Sequence, residues 1–175
     1  MTMKISELLL PEWDNEMAVT RAVLERVPDD GDKGSWKPHE KSFPLAHLAQ
    51  LVARMPGWVP MITEKTEFDI APTGGRTQGG YTVEKTAALL AEFDKNVKLG
   101  RDAIAKVSDE DFQTPWHFKA GGKVTSTQPR YMALRGLALN HMVHHRAQLG
   151  LYLRLLDEKV PSMYGPTADT KQPTG

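Results

Sequence analysis

Apolar residues return at every third or fourth position in four stretches of the chain, with glycine and proline clusters between them. The first stretch, residues 4–27, sets Leu9, Trp13, Met17 and Leu24 on one side of a helix and leaves Glu12, Glu16, Arg21 and Glu25 for water. The second follows Ser42, the predicted N-cap, with Pro44 in the first turn where a missing N–H is harmless. It runs through LAHLAQLVARM and is predicted to end or kink at Pro56-Gly57. The third, after Thr82, reads VEKTAALLAEFDKNVKLGRDAIAKV, is rich in the strong helix formers Ala, Leu, Glu and Lys, and stops before Ser108. The fourth extends from near Pro129 to Asp157, about 42 Å long at the α-helical rise.

Strand signals are scarce. The best is WHFKAGGKVTSTQ, where Gly121-Gly122 supplies a turn between His117-Phe118 and Val124. The segment 66–81 is long enough for a lid, although a plain surface connection is the simpler reading. Four amphipathic helices joined by unequal loops bury their apolar faces most economically as a four-helix bundle. The prediction is therefore an all-α fold, a single domain over residues 1–175, with a short hairpin before the last helix.

Composition narrows the chemistry. With 175 residues, 40% of them hydrophobic, the chain fills one core rather than two. Lys plus Arg (22) cancels Asp plus Glu (22), so a nucleic-acid surface built on neutralised phosphates finds no support in the net charge. The absence of cysteine excludes disulfides, Cys-ligated zinc, iron–sulfur clusters and a thiol nucleophile supplied by the protein itself. The Leu8–Leu10 run before Pro11 is too short for a secretory leader, and nothing approaches the roughly 18 apolar residues of a membrane span, so the expectation is a soluble, cytoplasmic protein without membrane contact.

Three of the six histidines fall within five residues of the fourth stretch, in LNHMVHHRAQLGLYLR. At about 100° per residue, His141 and His145 share a helical stripe with Leu134, Ala138, Gln148 and Tyr152, and both imidazoles are expected to point inward. An i, i+4 histidine pair presents two nitrogens that a divalent cation such as zinc or nickel can bridge. The same pair can also be a hydrogen-bonded core feature, and both readings stand. His144 lies off the stripe and reads as a packing residue. His47, on a stripe with Phe43 and Leu51, is the candidate for a third ligand. His39 and His117 are expected in loops. From Phe112 to Leu156 there is no Asp or Glu, so this part of the chain supplies no carboxylate ligand or base. The basic residues of this stretch are expected to pair with the acidic first helix, with an anionic-substrate pocket as the alternative. Arg135 and Arg146 lie off the histidine stripe and are expected to face a partner helix or another subunit. The residues identify no catalytic group beyond the histidines.

NHMVHHRAQLGLYLR followed by VPSMYGPTAD resembles the C-terminal signature of the DinB-like (YfiT-like) family, and WKPHEKSF, MPGW and SDEDFQTPW fit that family in order and spacing. The resemblance implies an up-down-down-up four-helix bundle, a homodimer, and a divalent metal held by one histidine of the second helix and the pair His141 and His145 of the last. It also implies a thiol S-transferase or thiol-dependent isomerase acting on a small molecule, with the thiol coming from a low-molecular-weight cosubstrate. Metal-dependent hydrolysis and a non-catalytic dimeric scaffold with a degenerate, metal-free site remain the alternatives. An ungapped register puts Leu51 where the family carries its second-helix histidine. His47 stands one turn earlier, about 5.4 Å along the helix, so either the helix is shifted or the site is incomplete.

Overall fold

All four stretches contain helix, with ends that differ from the pattern. The structure is a computed structural model and describes residues 3–72, 75 and 85–170. Helix α1 (Ile5–Leu24) buries Leu9, Trp13, Met17 and Leu24 as predicted. It also buries Glu16, which the pattern had assigned to water. The Ile5 N–H, one of the donors a helix start leaves free, donates to the Asp109 carboxylate at 2.9 Å. A short helix α2 (Gly31–Ser35), capped by the Asp30 side chain, follows.

Helix α3 (Leu45–Arg54) takes Pro44 rather than Ser42 as its N-cap. Pro56-Gly57 does not end the helical path. Pro56 enters the first turn of a 3-10 segment (Met55–Trp58), where no N–H is required of it, and the chain continues into α4 (Val59–Glu64). The stretch is thus bent, not terminated. Strand β1 (Glu67–Asp69) takes up the start of the expected surface connection, and half of that connection lies outside the described residues. Helix α5 (Thr86–Lys106) begins after Lys85, and the predicted boundary at Thr82 also lies outside the described residues. Helix α6 (Asp109–Gln113) is capped by Ser108, whose hydroxyl accepts the Asp111 N–H at 3.0 Å.

The hairpin forms as predicted. Strands β2 (Pro115–Ala120) and β3 (Lys123–Pro129) run antiparallel through Gly121 and Gly122, whose φ of 60° and 78° place both in the left-handed region that favours glycine. Strand β1 adds to β2 in parallel, giving a three-stranded sheet in the order β1-β2-β3. All-α therefore does not describe the molecule, which is mostly helical with a small sheet. Three residues, Glu67-Phe68-Asp69, are too few to show a period of two, so β1 left no pattern in the sequence.

Asp69 ties the sheet together by accepting the N–H groups of Ala71 (2.9 Å), Gly121 (3.0 Å) and Gly122 (2.6 Å). The Ala71 amide, with those of Gly122 and Gly121 and the Lys119 charge, holds this carboxylate below its ordinary 3.8. A carboxylate so depressed stabilises the fold above its unfolded-state pKa and loses that contribution as pH falls through the folded value. The expected result is faster amide exchange at Gly121 and Gly122 when pH drops from about 5 to about 2, after correction for intrinsic rates. In Asp69→Asn the corrected rates should be high and flat across that range. A wild-type profile that is itself flat contradicts the assignment.

The last stretch comprises α7 (Arg130–Ala133), a π-helical segment (Leu134–Asn140) and α8 (His141–Leu155). It stops where Asp157 adopts φ 61° and the Glu158 N–H returns to the Leu153 carbonyl at 2.9 Å. Helix α1 packs on α5 and α8, and α3 packs on the same two helices, so the four enclose a core that includes Leu48, Val52, Phe93, Ile104, Leu149 and Leu153. No helix among the described residues is long and apolar enough to cross a membrane.

Candidate functional site

The π segment changes how the histidines are presented. Its hydrogen bonds skip an extra residue, so the 100° spacing behind the predicted stripe does not hold across 134–140. At its end the His141 amide donates to the Ala138 carbonyl. The His141 ring is hydrogen-bonded to the backbone of Leu137, four residues back.

His141 and His145 come together as predicted. Their Nε2 atoms lie 3.0 Å apart and their ring centroids 4.7 Å apart. His145 is 8% exposed, while His141 is half-buried with the Trp58 ring 5.8 Å away. The Nε2 of His141 faces that of His145. The Nδ1 of His145 meets the Gln148 carboxamide oxygen at 2.8 Å. Burial lowers the pKa of both rings. The neighbouring His144 lowers His141 further, while for His145 the Gln148 hydrogen bond acts against burial and His141 and His144 act with it. A histidine whose folded pKa is depressed is most stabilising in its neutral form. Acidification from about pH 7 towards pH 5 should thus destabilise the cation-free protein, less so in His141→Gln/His145→Gln, as judged by urea midpoints across that range.

The other histidines are placed elsewhere. His144 is exposed, with its ring edge-on to His145 at 4.9 Å. His47 stacks on Phe43 at a ring separation of 4.2 Å, and burial, with a smaller effect of Arg54, lowers its pKa. Leu51 is buried in the core at 8% exposure and offers no donor. His39 accepts the Lys41 N–H in a loop. His117 sits on β2, not in a loop, and meets Thr127 across the hairpin at 2.9 Å. Among the described residues no group of three or more His, Asp or Glu is gathered in a way that could hold a metal ion.

Two imidazoles nonetheless fit a cation. With metal–nitrogen bonds of about 2.0–2.1 Å, a separation of 3.0 Å corresponds to an angle at the metal of about 91–97°. The His145 Nδ1 is engaged by the Gln148 oxygen and the His141 ring by the Leu137 backbone, contacts of the kind that orient histidine ligands. The pair thus turns two nitrogen atoms towards each other, and among the described residues His47 is not gathered with them.

The arginines pair with α1 as expected. Arg135 forks onto Glu12 at 2.6 and 3.0 Å. Arg146, 1% exposed, reaches the Glu16 carboxylate at 2.7 Å, the Glu16 carbonyl at 3.1 Å and the Thr20 hydroxyl at 3.0 Å. Tyr164, from the segment after α8, accepts from Arg146 at 2.7 Å and donates to Glu16 at 2.9 Å. Sequence reasoning missed Tyr164, which lies outside any periodic stretch, and placed Gln148 on the stripe without a role.

The family model described as the DinB family matches residues 123–174, the part that carries the histidine pair, Gln148 and Tyr164. A DinB-like protein from Bacillus cereus ATCC 10987 has a similar structure, with a TM-score of 0.67 and 22% identity, covering 94% of this chain and 100% of its own. A DinB-like protein from Bacillus subtilis has a TM-score of 0.62 at 18% identity, covering 89% and 97%. No curated protein matches the sequence.

Proposed function

We propose that the chain, which matches the DinB family model over residues 123–174 and shares the fold of DinB-like proteins, is a divalent-metal-dependent enzyme whose zinc or nickel ion is held by His141 and His145. The observation that carries this reading is the approach of two Nε2 atoms to 3.0 Å, with the His145 Nδ1 turned to the Gln148 oxygen. Bound there, the metal would lower the pKa of a thiol or water so that a nucleophile exists at neutral pH. The two imidazoles provide the nitrogen donors, the Leu137 carbonyl and Gln148 hold the rings, and Trp58 covers one side of His141. Because the chain has no cysteine, a thiol nucleophile is brought by a low-molecular-weight cosubstrate. The reaction is then a thiol S-transfer or a thiol-dependent isomerisation of a small molecule, on an up-down-down-up bundle that works as a homodimer in the cytoplasm. Hydrolysis by activated water is the in-class alternative, set apart by turnover without added thiol.

A second reading, a non-catalytic dimeric scaffold, is favoured by the missing third ligand among the described residues. Zinc and nickel titrations of untagged protein, followed by calorimetry and thermal shift, separate the two. Binding to wild type that is lost in His145→Ala and kept in His144→Ala supports the metal reading. Wild type that takes up neither ion supports the scaffold. In His47→Ala, a loss of affinity recruits His47 as the third ligand, whereas full retention leaves the pair alone. A monomer in sedimentation at micromolar concentration contradicts the dimer.

A further inference from the structure

We infer that Gln148 is the positioning residue of this site: its carboxamide oxygen fixes the His145 tautomer and so keeps the histidine pair open to a cation. The inference rests on the metal reading above and concerns what decides between a chelate and a closed pair. A neutral imidazole has one N–H and one lone pair. If the His145 proton sat on Nε2, it would be donated across the 3.0 Å gap to the His141 Nε2. The pair would then satisfy itself and leave no lone pair directed at the gap.

Gln148 prevents this. Its Oε1 lies 2.8 Å from the His145 Nδ1, and an oxygen there requires the proton on Nδ1. On His141 the same task falls to the Leu137 backbone, to which its ring is hydrogen-bonded. Both Nε2 lone pairs are then directed into one gap without a proton between them. That arrangement is unfavourable when empty and is relieved by a cation.

The two supports differ in kind. The Leu137 carbonyl is backbone and cannot be exchanged by substitution, whereas Gln148 is a side chain one turn beyond His145 and exposed. It can be changed without opening the core. Its carboxamide is therefore the adjustable element of the pair.

Nitrogen-15 NMR of the metal-free protein above the histidine pKa range reads the tautomer directly, and zinc titration reads the consequence. The expected wild-type signature is Nδ1–H at His145. Gln148→Leu should move the proton to Nε2 and weaken zinc binding by about 10–100-fold, with the circular dichroism spectrum unchanged. Gln148→Glu, which still offers an acceptor, should restore both the tautomer and the affinity. A wild-type Nε2–H tautomer overturns the inference, as does a Gln148→Leu variant that binds zinc as tightly as wild type. Wild type that binds no zinc, yet carries Nδ1–H that Gln148→Leu displaces, supports the tautomer assignment and sinks the metal reading alone.

Discussion

Glu16→Ala should lower folding stability by about 3–5 kcal/mol, the range seen when one partner of a buried ion pair is removed. The guanidinium of Arg146 is 1% exposed and the Glu16 side chain 10% exposed, so neither is screened by water. Arginine does not escape burial by losing its proton. Without Glu16 the guanidinium keeps the neutral Glu16 carbonyl, Thr20 hydroxyl and Tyr164 hydroxyl and the Tyr164 ring face as partners, and its Nε–H already has no hydrogen-bond acceptor. The charge is left in an apolar setting with too little compensation. Tyr164→Phe deletes one bridging hydroxyl and leaves the ion pair, so it should cost only about 1 kcal/mol. Glu16→Ala combined with Arg146→Met removes both charges and should recover much of the single-variant loss, because the penalty belongs to the orphaned ion. Urea denaturation of the four proteins checks this. A Glu16→Ala loss below about 1 kcal/mol, or a double variant as weak as the single, contradicts it.

The same pair shows what the sequence could and could not reveal. That Arg146 and Arg135 would turn away from the histidines, towards a partner helix or another subunit, followed from their places off the stripe, and the acidic first helix was the simplest partner for the carboxylate-free stretch. That Glu16 would be buried did not follow, because its burial depends on Arg146 arriving from 130 residues away. Helix existence was legible wherever the apolar period ran through ten residues or more. Boundaries at proline were not, since Pro56 can end one helical turn or begin another and only the tertiary path decides. At the site, the His141–His145 approach was readable because i, i+4 spacing is a local property of a helix. The orientation of the rings was not, because it depends on a π segment that no period announces and on a glutamine whose role appears only once the tautomer is considered. His47 shows the limit of resemblance. A motif gives its order along the chain, but a coordination site needs position to tenths of an ångström, and here the ring stacks on Phe43 instead.

Gly100→Ala is expected to destabilise the protein although it replaces the poorest ordinary helix former with the best. Propensity alone would favour alanine in α5 by about 1 kcal/mol. Against this, a Cβ at position 100 would lie 2.6 and 2.7 Å from two atoms of the Trp13 ring and 2.8 Å from the Pro56 carbonyl oxygen. Neither neighbour can yield cheaply: Trp13 is fully buried in α1, and the Pro56 carbonyl is backbone in the 3-10 bend that carries α3 into α4. The glycine is thus where α5, α1 and the bend come closest, and an added methyl must push at least one of them away. Overpacking of this kind costs about 1–3 kcal/mol, at the upper end where the obstacles are rigid, so the net loss should be about 1–2 kcal/mol. Gly100→Val, with two further methyl groups, should lose more. Gly136→Ala is the control, since its Cβ meets nothing within 4 Å. The clash further requires that shortening the indole help, so Trp13→Phe and Gly100→Ala should cost less together than the two losses added. Additive losses would place the obstruction at the Pro56 carbonyl, and a Gly100→Ala protein more stable than wild type would show that α5 is not held as close to α1 as these distances require.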